Sequence, residues 1–175
     1  TIYEGFGWVS NGMVVEGILG YNEDLKFLPY DPDAAKEYLA AAGYGPGELT
    51  IKCMMDMGTG TEYKMNIAML AEVGINMELQ QVDDATYYQN RLDGTIPMER
   101  NCWWVDYNDP DNVLYSYFSR RAQESNSVGL DDEYVFETLE AARRETDPDA
   151  RIKMYQDIEA HLLENVCFIP IFQPQ

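Results

Sequence analysis

The sequence predicts an α/β fold, a largely parallel sheet flanked by helices, from three observations. Short apolar runs alternate with amphipathic stretches between residues 49 and 105, the links joining them are short, and Gly or Pro marks most boundaries. A strand-helix-strand-helix-strand order with such links favours right-handed crossovers and parallel pairing.

Residues 1–30 are rich in glycine and aromatics, with Gly5, Gly7, Gly12, Gly17 and Gly20 breaking any sustained period. They read as a loop-rich lead-in to a single α/β lobe spanning 31–175. Asp31-Pro32 supplies an N-cap and a helix-compatible proline, Ala35, Tyr38, Leu39 and Ala42 follow at helical spacing, and Gly43 stops the helix. Leu49 to Met55, between Gly47 and Gly58, suits a buried strand. Met65, Met69 and Val73 recur every four residues before Gly74, which indicates a helix with a glycine stop. Ile75 to Val82 reads as the next strand, Asp84 to Leu92 as a short helix, and Met98 to Val105 as a third strand. Beyond Pro110 the chain turns helical. A polar loop is expected around Ser119 to Gly129, followed by helices carrying Val135, Leu139 and Ala142, then Ile152, Tyr155, Ile158 and Leu162 behind Asp147-Pro148. Val166 to Phe172 reads as a last strand.

With 12 basic and 31 acidic residues in 175, the net charge is −19, which repels a phosphate backbone and an anionic membrane surface alike. Nucleic acid is therefore not expected as a partner. No apolar run approaches the roughly 18 residues of a membrane span. Cys53, Cys102 and Cys167 lie far apart in apolar runs, without zinc spacing, and are expected as buried thiols. No metal site and no cofactor is expected. Asp106-x-Asn108-x-Pro110 begins like a calcium loop, but Asp111 stands at the glycine position and Tyr117 at the glutamate position. Gly58-Thr59-Gly60-Thr61 precedes a helix yet lacks the length and the lysine of a phosphate loop. His161, the single histidine, has no neighbouring nucleophile motif, so no catalytic residue is assigned.

The segment Cys102-Trp103-Trp104-Val105-Asp106-Tyr107-Asn108-Asp109-Pro110-Asp111-Asn112 carries the sharpest functional signal. An apolar run ends abruptly in acids, as a buried strand would if it delivered one carboxylate, Asp106, to its carboxyl end. In open α/β folds that end borders the ligand crevice. The same aspartate can instead serve as a turn and helix N-cap residue, the role that suits Asp109 and Asp111 best.

Four segments in register resemble the large extracytoplasmic solute-binding proteins of peptide and nickel ABC transporters. They are Tyr30 to Tyr44; Leu70-Ala71-Glu72-Val73-Gly74-Ile75 leading into Val82-Asp83; Trp103 to Asn112; and Asp147 to Phe172 with its Ile169-Pro170-Ile171. The resemblance implies a type II periplasmic-binding-protein-like lobe. Family members are longer, with two lobes closing over the ligand, so the chain resembles the second ligand-binding lobe alone.

By that resemblance, Asp106 receives the α-amino group of a bound peptide, Trp103 packs against the peptide, and Arg100 falls where some members hold an arginine for the carboxylate end. Tyr107 lines the pocket or covers the strand end. Alternation places Arg100 and Trp104 on one strand face, and Trp103 and Val105 on the other. The implied function is capture of a small peptide ligand by lobe closure, without catalysis. Delivery would be to ABC permease subunits, by a monomer outside the cytoplasm, as a lipoprotein or in the periplasm. The membrane would be reached only through an N-terminal anchor that this chain does not contain. A nickel chelate or an oligosaccharide is the alternative ligand within the family. Glycoside hydrolysis by Asp106 paired with Asp109 is the remote alternative, and neighbours at a tight turn rarely converge on one bond.

Overall fold

A computed structural model of the chain describes residues 6–55, 61–125 and 128–173. They fall into two units, one of residues 29–101 and one of residues 6–28 with 102–173.

In the unit of residues 29–101, helix α1 (Pro32–Ala41) starts as its sequence requires, the Asp31 carboxylate accepting from the N–H groups of Asp33 and Ala34. Strand β1 (Leu49–Met55), helix α2 (Thr61–Glu72) and strand β2 (Ile75–Gln81) form a parallel crossover, paired from Leu49 with Ile75 to Met55 with Gln81. Gly74 ends α2 at a φ of 90°, a conformation that favours glycine, and a Cβ there would also crowd Pro46 Cα at 3.1 Å. Cys53, Met55, Tyr63 and Met77 form this unit's core. Helix α3 (Asp84–Leu92) is capped by Asp83, whose carboxylate accepts from Thr86 N–H. The fold class is thus α/β, with a parallel sheet and helices against it. The turn at Gly58, Thr59 and Gly60 lies outside the described residues.

The third strand expected at Met98 to Val105 does not form as a ladder among the described residues. Met54 N–H donates to the Met98 carbonyl at 3.0 Å, and one parallel bridge joins Met54 to Glu99. Pro97 has no N–H to give, and Glu99 is held by its side chain, accepting from the Tyr87 hydroxyl at 2.6 Å and pairing with Arg91 at 3.2 Å. Burial and the Glu99 carboxylate together push the Tyr87 hydroxyl pKa up.

In the unit of residues 6–28 and 102–173, helices α4 (Asp111–Phe118), α5 (Arg120–Ser125), α6 (Glu133–Ala142) and α7 (Pro148–Glu164) surround one core. Leu114, Leu139, Ile158 and Leu162 are fully buried there, with Val14 from the lead-in packed among them. Each such side chain contributes roughly 1.5–3 kcal/mol. Asp132 and Asp147 cap α6 and α7. Residues 119–125, expected as loop, hold α5, begun by Ser119 Oγ accepting from Ala122 N–H. Among the described residues the strand expected at Val166 to Phe172 does not form as a ladder; one antiparallel bridge joins Trp8 to Gln173, just beyond it. The start of that stretch is turned aside at Val166, which takes φ 54° after the end of α7, and Pro170 removes a ladder donor.

Glu159 of α7 is 1% exposed. Its Oε1 accepts from Met13 N–H at 2.6 Å and Val14 N–H at 2.7 Å, while Oε2 has no partner among the described residues. Burial pushes its pKa up to about 7 against those two bonds. A Cβ on Gly12 would meet Oε1 at 2.4 Å, so a larger residue there would push this carboxylate from its present position. Of the cysteines, Cys53 is buried and Cys167 half-buried, but Cys102 is exposed, contrary to the expectation for apolar runs.

Candidate functional site

Residues 102–110 run without helix or strand and are held by side chains instead of a sheet. Trp104 is 78% exposed, against 38% for Trp103 and 36% for Val105. The alternation survives, but the segment is not the buried strand its hydrophobicity suggested. An apolar residue at the surface is common, because hydrophobicity biases burial without dictating it.

Asn112, in the first turn of α4 and 3% exposed, organises the segment. Its Oδ1 accepts from Trp103 Nε1 at 2.8 Å and from Asp106 N–H at 3.1 Å, and its Nδ2 donates to Asp106 Oδ2 at 3.3 Å. Trp103 also packs edge-on against Tyr117, with ring centroids 5.2 Å apart. The N-cap of α4 is Pro110, and Asp106 does not cap it. Asn112 stood inside the sequence motif, yet nothing in its spacing marked it as a hub.

The three acids of this turn have different partners. Asp109 takes a two-pronged ion pair from Arg151, at 2.8 and 2.9 Å, and its Oδ1 also accepts from Asp111 N–H. Burial pushes its pKa up, but the Arg151 hydrogen bonds, the Asp111 bond and the Arg151 charge outweigh it and leave the carboxyl below its ordinary value. Asp111 pairs with Arg143 at 3.3 Å and accepts from the Tyr155 hydroxyl at 2.9 Å and the Tyr107 hydroxyl at 3.3 Å. Asp106 is exposed, and among the described residues it has no cationic partner. It alone of the three presents an uncompensated charge to solvent, on a turn whose neighbours are pinned. Asn108 adds a further pin, its Oδ1 accepting from Leu19 N–H at 2.6 Å. The arginines responsible, Arg143 and Arg151, lie more than 30 positions downstream, beyond any local sequence signal.

Tyr107 is half-exposed, and its hydroxyl donates to Asp111 at 3.3 Å. Arg100 belongs to the other unit, where its Nε lies 2.6 Å from Glu62 Oε2 and its Nη2 3.4 Å from Oε1. Any anion it receives competes with Glu62. A shallow groove on α5 and α6 is lined by Arg120, Glu133, Phe136 and Arg144, but Arg120 pairs with Glu133 and stacks over Phe136, and Arg144 pairs with Glu140. Its charges are spent internally. Among the described residues, no group of three or more His, Cys, Asp or Glu is arranged to hold a metal ion, and no helix is long and apolar enough to cross a membrane. The arrangement around Asp106 is suited to binding a cation beside aromatic rings.

The family profile described as "Bacterial extracellular solute-binding proteins, family 5 Middle" matches residues 1–125. The chain is 27% identical over 181 aligned positions to di/tripeptide-binding protein 3 of Pseudomonas aeruginosa, covering 98% of this chain and 33% of the relative. It is 28% identical to the dipeptide-binding protein of Escherichia coli, over 91% of this chain and 31% of that one. The periplasmic binding protein DppA from Helicobacter pylori, solved in complex with the peptide STSA, superposes with a TM-score of 0.89 at 26% identity, over 99% of this chain and 35% of its own. The chain spans about a third of the length of the relatives it matches.

Proposed function

The chain belongs to the bacterial extracellular solute-binding proteins of family 5, and from that membership we propose that it is part of a receptor that captures short peptides. The observation that carries the proposal is the uncompensated Asp106 carboxylate beside Trp103 and Tyr107, on a turn where Asp109 and Asp111 are each neutralised by an arginine. A peptide is an extended zwitterion, and its α-ammonium needs a carboxylate that no internal cation has claimed. Asp106 takes the amine, and the Trp103 and Tyr107 rings pack along the peptide; Arg100, in the other unit and paired with Glu62, receives an anion only by giving up or sharing that partner. The relatives named above, a di/tripeptide-binding and a dipeptide-binding protein, support this ligand class.

The receptor acts outside the cytoplasm as a monomer, is held at the membrane by a lipid anchor or moves freely in the periplasm, and passes its cargo to ABC permease subunits. It binds its ligand and releases it unchanged. The ligand selects a closed state because it contacts more protein there. Native mass spectrometry of the full-length protein as purified tests the ligand class. A ladder of retained masses fitting short peptides of mixed sequence and common length is expected. A single mass matching a metal chelate or an oligosaccharide refutes the peptide assignment.

A further inference from the structure

Building on the assignment of Asp106 to a ligand amine, we propose that Asn112 is the positioning residue of this site. Its one amide locks the Trp103 ring and the Asp106 carboxylate into a single unit and thereby sets the preference for a free α-amine. An amide is the side chain that can do this here. Its oxygen accepts from two N–H groups, the Trp103 indole and the Asp106 main chain, while its nitrogen donates to the Asp106 carboxylate. An aspartate at 112 would keep both acceptor bonds and turn a second carboxylate oxygen toward Asp106.

The platform is rigid where its clients are not. Asn112 is buried at the start of α4, and the next two residues, Val113 and Leu114, are 2% and 0% exposed in the core. Trp103 and Asp106 are exposed and stand outside any ladder. Their orientation therefore depends on bonds to the helix, and Asn112 supplies three of them. Without the amide, the Asp106 side chain is free to spread over its rotamers, and binding must then bear the cost of ordering it.

The test compares the full-length protein with Asn112→Ala and Asn112→Asp. Affinities for Ala-Ala and for N-acetyl-Ala-Ala are measured by calorimetry, and hydrogen exchange of the Trp103 indole N–H by NMR, its peak assigned with Trp103→Phe. The unsubstituted protein prefers the free amine. Asn112→Ala weakens Ala-Ala binding by about tenfold or more, moves N-acetyl-Ala-Ala much less, and removes protection of the Trp103 indole. Asn112→Asp keeps that protection, which separates loss of the acceptor from loss of the fold. An Asn112→Ala protein that keeps its amine preference or its indole protection overturns the role of Asn112 and leaves Asp106 standing. No amine preference in the unsubstituted protein overturns the assignment of Asp106, and that of Asn112 with it.

Discussion

Glu159 gives the chain a pH-dependent stability whose sign and size follow from its surroundings. Its carboxyl is fully buried and titrates at about 7 instead of the ordinary 4.5, burial being the dominant cause. The folded state therefore holds its proton more tightly than the unfolded state does. The contribution is fully present below pH 4.5 and is lost as pH rises through about 7. A gap of about two and a half pH units, at roughly 1.4 kcal/mol each, amounts to about 3 kcal/mol. Glu159→Gln keeps an oxygen for Met13 and Val14 N–H but cannot ionise, so it isolates this effect from the repulsion within a chain of net charge −19. Thermal melts of the chain and of Glu159→Gln from pH 4 to pH 8 are the assay. The two should nearly coincide at pH 4, and the substituted chain should gain by roughly 6–12 °C at pH 8. Parallel curves across the whole range would refute the reasoning. They would mean that water or relaxation stabilises the charged carboxylate.

Two further outcomes are expected. Asp106→Asn in the full-length protein weakens Ala-Ala binding by about 2–3 kcal/mol, between the values expected for a charge pair in water and in a partly desolvated site. Its melting temperature hardly changes, since the carboxylate is exposed and accepts one long hydrogen bond; unchanged affinity by calorimetry sinks the assignment. Val166→Gly stabilises the chain by about 0.5–1 kcal/mol, read by urea denaturation, because a β-branched residue at φ 54° is strained by more than the entropy that glycine costs. A lower urea midpoint would show that the half-exposed Val166 side chain contributes more by packing than its backbone loses.

The sequence by itself determined what depends on neighbours along the chain. Asp31, Asp83, Asp132 and Asp147 cap helices because a short carboxylate reaches N–H groups two or three residues on, and the β1-α2-β2 crossover follows from period and glycine placement. The resemblance carried by 103–112 and the candidacy of Asp106 were legible for the same reason. Tertiary structure decided whatever depends on partners far away in the chain. Apolar 102–105 became an exposed segment held by Asn112, because hydrophobicity does not state whether a neighbouring strand is there to pair with it. Asp109 and Asp111 were compensated by Arg151 and Arg143, and that choice left the charge of Asp106 open. Glu159 reads in sequence as one more helix surface acid. Only the packing of Gly12, Met13 and Val14 over it makes it a buried proton site, because the cost of burying a charge is set by what surrounds it in space.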